Sequence, residues 1–131
     1  MSSGHTFVTL INCMDGRTQE PGLTWMKAHT GADYVDSITF AGPDGMLEDD
    51  RHPHFENLME RILISRDKHG SKTLALIAHY DCAGNPGPKD MHLQQLDAAF
   101  KTLKAQNLGM HFLALWIDEN WEVELVFQDR V

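Results

Sequence analysis

Short apolar runs alternate with amphipathic stretches along the chain. Three of the runs are nearly continuous in hydrophobic residues, which is typical of strands that are buried on both faces of a parallel sheet, whereas a fourth, at 34–40, is diluted by polar residues and alternates imperfectly. The third is the clearest, with five apolar residues in a row at 74–78. The pattern predicts strands over residues 5–11, 34–40, 73–78 and 110–117.

The stretches between these runs carry apolar residues at helical spacing. The first predicted helix begins near Thr18, a candidate cap, and ends at Gly31. The second covers residues 53–69, and the third is capped by Asp90 and ends at Gly109. Because each helix lies between two predicted strands, the three helices are predicted to be crossover connections.

Two further segments have patterns of their own. Residues 41–54 are rich in Gly, Pro, Asp and His, which predicts a long loop with a functional role. After a tight turn at 118–120, apolar and polar residues alternate. The alternation predicts an antiparallel edge strand with one apolar face, formed by Trp121, Val123, Leu125 and Phe127.

The order of the predicted elements, β-α-β-α-β-α-β-β, determines the fold class. It indicates a three-layer α/β fold with a mostly parallel five-stranded sheet, an antiparallel edge strand and helices on both faces. We expect residues 1–131 to form a single domain, since this length is sufficient to bury a core. In such folds ligands bind beyond the carboxyl ends of the strands, so residues at these ends are the first candidates for a site.

The charge balance and the hydropathy exclude several classes of partner. With 19 acidic and 11 basic residues the net charge is −8, and no cluster of Lys and Arg is present to follow a nucleic-acid backbone. The longest apolar runs are far shorter than the roughly 20 residues that a membrane span requires. Because the N-terminal segment also lacks the pattern of a signal peptide, we expect a cytoplasmic protein without nucleic-acid or membrane partners.

Three metal-ligating residues follow the ends of two predicted strands. Cys13 comes after the first strand, and His79 and Cys82 come after the third. A catalytic zinc ion commonly has three sulfur or nitrogen ligands and an open fourth position, so this set predicts a Zn²⁺ site. Two alternatives stay open: the cysteines are small buried hydrophobic residues, or Asp15 completes a closed structural site.

Asp15 and Arg17 alternate with Cys13, so in an extended segment all three side chains would point to the same side. A guanidinium next to a carboxylate orients it and keeps it ionised. An oriented Asp15 could then accept a hydrogen bond from a zinc-bound water or hydroxide. The simpler alternative is a local salt bridge after a strand.

The spacings Cys-x-Asp-x-Arg and His-x-x-Cys resemble those of the β-class carbonic anhydrase family, of which this chain looks like a short, divergent member. The resemblance implies reversible hydration of carbon dioxide to bicarbonate by a zinc-bound hydroxide. It implies that Cys13, His79 and Cys82 are the zinc ligands and that Asp15 and Arg17 are catalytic. It also implies a homodimer or a higher homo-oligomer.

The chain departs from the family pattern around the expected substrate pocket. Where the family commonly has Arg-Asn-Ala-Gly-Asn, residues 39–43 read Thr-Phe-Ala-Gly-Pro. Such changes leave room for a zinc hydrolase of carbonyl sulfide or carbon disulfide, or for a non-catalytic zinc-containing binding module. The candidate pocket residues are Phe40, Ala41, Gly42, Tyr80 and Ala83.

Two histidines in the predicted loop are candidates for proton transfer. His52 and His54 flank a proline, and a histidine titrates near neutral pH, as the release of a proton in each hydration turnover requires. The alternative is a solvated loop that precedes a helix.

Overall fold

The computed structural model describes residues 5–131 and confirms the predicted α/β fold. A mixed sheet contains five strands in the order β2-β1-β3-β4-β5, of which only the β4–β5 pair is antiparallel. Four α-helices and one 3-10 turn connect the strands. Their bounds are β1 Phe7–Cys13, 3-10 turn Gly16–Thr18, α1 Gln19–Thr30, β2 Tyr34–Phe40, α2 Pro43–Met46, α3 Phe55–Lys68, β3 Thr73–His79, α4 Lys89–Lys104, β4 His111–Ile117 and β5 Val123–Arg130.

Helices cover both faces of the sheet. On one face α1 contributes Met26 to a buried cluster with side chains of β1, β3 and β4. On the other face α2, α3 and α4 pack against the alternate side chains of the same strands, with Leu58, Ile62 and Leu96 fully buried. Removing each such side chain from water is worth about 1.5–3 kcal/mol, so the two clusters hold the central strands firmly in place.

The sheet topology places the ends of β1 and β3 side by side. These strands are parallel neighbours at the centre of the sheet, with Leu10 opposite Ala75. The chain leaves β1 towards β2 on one side and leaves β3 towards β4 on the other, so the strand order reverses between them. Both strands are longer at their carboxyl ends than predicted, and Cys13 and His79 are their last residues.

Several local predictions about helices and caps differ from the structure. The predicted loop at 41–54 contains the short helix α2, with Pro43 in its first turn. Thr18 and Asp90 do not cap their helices: the Thr18 side chain makes no capping hydrogen bond, and Pro88 occupies the cap position of α4.

Within residues 5–131, no helix combines the length and the apolar character needed to cross a membrane.

The edge strand β5 does not present one apolar face. Its pairing with β4 shifts between Ala114, which lies opposite Phe127, and Leu115, which lies opposite Leu125. This bulge inserts one residue, and an insertion moves every later side chain to the opposite face of the sheet. Val123 and Leu125 therefore pack on the α1 side, whereas Phe127 packs against the cluster on the other side.

Candidate metal centre

A tight turn follows Cys13 and replaces the predicted extended segment. Asp15 caps the 3-10 turn Gly16–Thr18, and its Oδ1 accepts a hydrogen bond of 2.9 Å from the Arg17 backbone N–H. The expectation of an extended chain was therefore wrong, because a short acceptor side chain at this position favours a turn. The turn nevertheless brings the Asp15 carboxylate next to the Arg17 guanidinium.

Side chains at the start of α1 fix this turn. The Thr18 hydroxyl donates to the Asp15 carbonyl at 2.8 Å. The Gln19 amide donates to the carbonyls of Cys13 and Asp15, each at 2.8 Å. Carbonyls that follow the end of a strand are thus satisfied, and the segment that carries Cys13 and Asp15 is held in one conformation.

A second turn follows β3. The Tyr80 N–H donates to the Ile117 carbonyl at 2.8 Å, so the pairing with β4 continues one residue past His79. Asp81 then has φ of 57°, a left-handed conformation that reverses the chain direction. The reversal brings the Cys82 side chain back to His79 and to the end of β1.

The two turns bring the three predicted ligands together. The Sγ atoms of Cys13 and Cys82 are 3.9 Å apart, although 69 positions separate the residues in the sequence. One ligand atom from each of Cys13, His79 and Cys82 lies within 4.8 Å of the other two. All three residues are buried, with exposed fractions of 3%, 1% and 3%.

The hydrogen bonds of His79 leave one ring nitrogen available. Nδ1 lies 2.7 Å from the Tyr80 carbonyl oxygen. A carbonyl can only accept, so Nδ1 carries the proton and Nε2 has the free lone pair. Nε2 is buried and has no hydrogen-bond partner among residues 5–131. Histidines that bind a metal usually donate their other ring N–H to a carbonyl or carboxylate in this way, which fixes the tautomer.

The two thiols differ in their pKa values. Burial raises the pKa of Cys13, but the interaction with His79 and backbone hydrogen bonds outweigh burial and lower this pKa to about 7. The same interaction raises the pKa of His79 against the effect of burial. Burial and the negative charge of Cys13 raise the pKa of Cys82 to about 11. A cation between the two sulfurs would remove this repulsion and stabilise both thiolates.

The geometry fits a tetrahedral metal ion. Zinc–sulfur bonds of about 2.3 Å at a tetrahedral angle place two sulfur atoms about 3.8 Å apart. The observed separation of Cys13 and Cys82 is 3.9 Å. This buried Cys-His-Cys group could therefore hold a metal ion.

Two glycines allow the loop after Cys82 to approach the end of β2. Gly42 has φ of 61°, and a Cβ added to it would lie 2.5 Å from Asn85 Cβ. A Cβ on Gly84 would lie 2.7 Å from the Ala41 Cβ. Only glycine permits such close contact of two backbones. The backbone of Gly42 lowers the pKa of Cys13, and the backbone of Gly84 lowers that of Cys82, because N–H groups near a sulfur favour its ionised form.

A buried polar network anchors the same loop. His92 Nδ1 and Asp44 Oδ2 are 2.6 Å apart, and both side chains are almost fully buried. Asn85 donates to Asp44 Oδ1 at 3.1 Å and to the Gln95 side chain at 2.6 Å. The network connects α2, the Cys82 loop and α4. No signal in the sequence marks this network, because neither Asp44 nor His92 belongs to a recognisable spacing.

The predicted Asp15–Arg17 pair is formed. Arg17 Nη2 donates to Asp15 Oδ2 at 2.7 Å, and Nε lies 3.1 and 3.2 Å from the two carboxylate oxygens. Hydrogen bonding to Arg17 lowers the pKa of Asp15 to about 2, so the carboxylate is ionised at neutral pH. The pairing also raises the pKa of Arg17. Sequence reasoning missed two further contacts of Arg17, with Asp81 and Trp121.

The candidate pocket residues lie in several places around the centre. Tyr80 is exposed and lines a cavity of about 490 Å³ together with Cys82 and Trp116. Ala41, Gly42 and His52 line a smaller cavity of about 250 Å³ on the α2 side. The remaining predicted residues are Phe40, which stacks on His54 at 5.9 Å, and Ala83, which is exposed in the Cys82 loop.

The structure is similar to solved β-carbonic anhydrases. For isoform I from Trichomonas vaginalis the TM-score is 0.65 at 13% identity, covering 92% of this chain and 81% of that chain. For the enzyme from Glaciozyma antarctica the TM-score is 0.59 at 14% identity, with coverage of 92% and 81%. For a tetrameric β-carbonic anhydrase from Sordaria macrospora it is 0.56 at 13% identity, with coverage of 96% and 84%.

One comparison at the level of families agrees with the fold. A comparison with curated proteins gives no significant match. The model of a family described as "Putative carbonic anhydrase" matches residues 3–127, which is nearly the whole chain. The chain therefore belongs to the carbonic anhydrase family that this model describes, and its fold is that of the β-carbonic anhydrases.

Proposed function

We propose that this chain binds one zinc ion through Cys13, His79 and Cys82 and catalyses the reversible hydration of carbon dioxide to bicarbonate. The observation that carries the proposal is the buried lone pair of His79 Nε2, which has no partner within residues 5–131. A ring nitrogen of His79 lies within 4.8 Å of the Sγ atoms of two buried cysteines. An unsatisfied buried nitrogen costs free energy, and a metal ion bound at this point would remove that cost.

Each residue of the centre has a defined part in this reaction. Zinc bound here would supply Lewis acidity and lower the pKa of a water molecule towards neutrality. The ionised Asp15 accepts a hydrogen bond from the reacting water and fixes the direction of its lone pair. Arg17 keeps Asp15 ionised and oriented. The backbone hydrogen bonds to the two thiolates moderate the charge that the sulfurs donate.

The substrate and proton routes belong to the same proposal. Tyr80, Ala83 and residues 40–42 form the surroundings through which a small uncharged substrate would reach the centre. The ring centres of His52 and His54 are 5.5 Å apart, with His52 half-buried and His54 exposed, which suits a role in passing the released proton to buffer. Residues 1–131 would act as one domain.

We also propose that the chain forms a homodimer or a larger homo-oligomer. Met14 and Tyr80, which flank the proposed zinc ligands, are 65% and 47% exposed. Large apolar side chains at the mouth of a site are typical of surfaces that a partner covers. The β-carbonic anhydrase of Sordaria macrospora, to which this structure is similar, is tetrameric. Light scattering on the purified zinc-loaded protein should give a mass of at least two chains, and a monomer would contradict this part.

The experiment measures metal content and carbon dioxide hydration in the same preparation. We expect about one zinc ion per chain and a rate, measured by stopped flow, that falls about 100-fold or more in Asp15→Asn, as is common when a proton-accepting group is lost. Asp49→Asn is the matched control, since Asp49 makes the same pair of contacts with Arg51, at 2.9 and 2.7 Å, on the surface. The control should retain full activity.

Two outcomes would contradict the proposal. Folded protein that binds no zinc would exclude the metal centre. Zinc-loaded protein without carbon dioxide hydration would exclude the reaction. If that zinc-loaded protein released sulfide from carbonyl sulfide or carbon disulfide, hydrolysis of these compounds would replace carbon dioxide hydration as the proposed function. If neither substrate reacted, a non-catalytic zinc-containing module would be left.

A further inference from the structure

Strained backbone surrounds the Arg17 guanidinium. Among residues 5–131, three residues other than glycine have positive φ: Asp81 at 57°, Asn107 at 53° and Trp121 at 60°. Two of the three contact Arg17 directly. Left-handed backbone is costly for residues with a side chain, and more so for a bulky one, and such strain tends to occur at functional sites.

Asp81 holds one edge of the guanidinium. Arg17 Nη1 donates to Asp81 Oδ2 at 3.2 Å, and Nη2 donates to the Asp81 carbonyl oxygen at 3.1 Å. The carbonyl contact depends on the reversed backbone of the turn after β3. The same turn therefore sets the position of Cys82 and that of Arg17.

Trp121 covers one face of the same group. The Arg17 Cζ atom lies 4.5 Å from the centre of the Trp121 ring, within the range of a cation–π contact. The Trp121 ring also packs against the buried cluster on the α1 side of the sheet. Without this ring, the guanidinium of Arg17, whose side chain is already 46% exposed, could turn towards solvent.

The turn that carries Trp121 is tightly fixed. The Trp121 N–H donates to the Asp118 carbonyl at 3.0 Å, and the Asp118 N–H donates to the Glu122 carbonyl at 3.0 Å. Asp118 Oδ1 also accepts from the backbone of Asn120 and Glu122. Glycine would adopt the left-handed position of this turn without strain. A tryptophan at this position needs a side-chain contact that offsets the backbone strain. The contact of its ring with Arg17 is such a contact.

We propose that Asp81 and Trp121 are positioning residues that clamp Arg17 from two sides and thereby orient Asp15. Asp81 accepts hydrogen bonds from Nη1 and Nη2 of Arg17, and Trp121 covers one face of the guanidinium. Nε and Nη2 are thereby directed at the Asp15 carboxylate. Arg17 then has a single arrangement rather than several. The inference rests on the proposed function for its catalytic consequence, although the clamp itself is a structural statement.

The test compares Trp121→Leu with Trp25→Leu in zinc-loaded protein. Both tryptophans pack against the same buried cluster, but Trp25 stacks on His29 instead of Arg17. The first readout is the NMR signal of the Arg17 Nε–Hε group. In the unchanged protein we expect an upfield ring-current shift and slow exchange with water.

In Trp121→Leu the ring-current shift should disappear, and exchange should accelerate about tenfold, as expected for loss of a contact of this strength. Carbon dioxide hydration should fall by a similar factor with zinc content unchanged. Trp121→Phe should restore most of the Arg17 signal and most of the hydration rate. Trp25→Leu should change neither the Arg17 signal nor the hydration rate. An Arg17 signal that is unchanged in Trp121→Leu, or equally altered in Trp25→Leu, would overturn the role of Trp121.

Asp81→Asn tests the other side of the clamp. The Asp81 side chain is 68% exposed, so this variant should fold and bind zinc normally. We expect Arg17 Nε–Hε exchange to accelerate about threefold, because one charged contact is lost while the carbonyl contact stays. Unchanged exchange would overturn the role of Asp81. An inactive wild-type zinc protein would refute the proposed function, and the Arg17 signals would still decide whether the clamp exists.

Discussion

Gly42→Ala is expected to destabilise the protein through two separate effects. The first is conformational, because a φ of 61° costs an alanine about 1–2 kcal/mol. The second is steric, because the new Cβ would lie 2.5 Å from Asn85 Cβ and 3.2 Å from the backbone of the Cys82 loop. Overpacking of this kind costs about 1–3 kcal/mol. We therefore expect a loss of about 2–5 kcal/mol in the free energy of unfolding.

Gly31→Ala separates the two effects. Gly31 has a φ of 72°, but a Cβ added to it would meet no heavy atom within 4 Å. Its substitution should cost only the conformational part, about 1–2 kcal/mol. The difference between the two variants then measures how tightly the backbones of residues 41–42 and 84–85 are packed.

Urea titrations of both variants, followed by circular dichroism in the presence of zinc, give the two free energies. The Gly42→Ala variant should also bind zinc more weakly, since the Gly42 backbone lowers the pKa of Cys13 and a displaced backbone would stabilise its thiolate less. The Gly31→Ala variant should bind zinc normally. Equal destabilisation of the two variants would refute the reasoning, because it would mean that the loops can separate without cost.

Two further predictions concern the metal and the buried network. Removing zinc with a chelator should lower the melting temperature, and restoring zinc should reverse the change, because an ion that binds only the native state stabilises it; a melting temperature that is independent of zinc would contradict this. Asp44→Ala should cost about 3 kcal/mol in urea titrations, since it leaves the fully buried His92 Nδ1 without its partner and removes one of the two acceptors of the half-buried Asn85 amide. Asp49→Ala, which breaks an exposed pair, should cost less than about 1 kcal/mol, and equal losses would contradict the burial argument.

The proposed zinc ligands could be predicted from local sequence patterns. Cys13, His79 and Cys82 could be selected from the sequence because they follow strongly apolar strands, and parallel strands end at a common edge. The structure brings these three side chains together, as expected. The bounds of the elements were less accurate, since both strands include their ligand as the last residue.

The amino-acid sequence by itself determined the element order, the α/β fold and the residues of the candidate centre, because periodicity and chain order carry that information. Only the tertiary structure decided the bulge that turns Phe127 to the opposite face, the burial of the Asp44–His92 pair and the contacts of Asp81 and Trp121 with Arg17. These features depend on which turns meet at one edge of the sheet. A hydrophobic pattern records how each element is buried, but it does not record which side chains of distant turns touch.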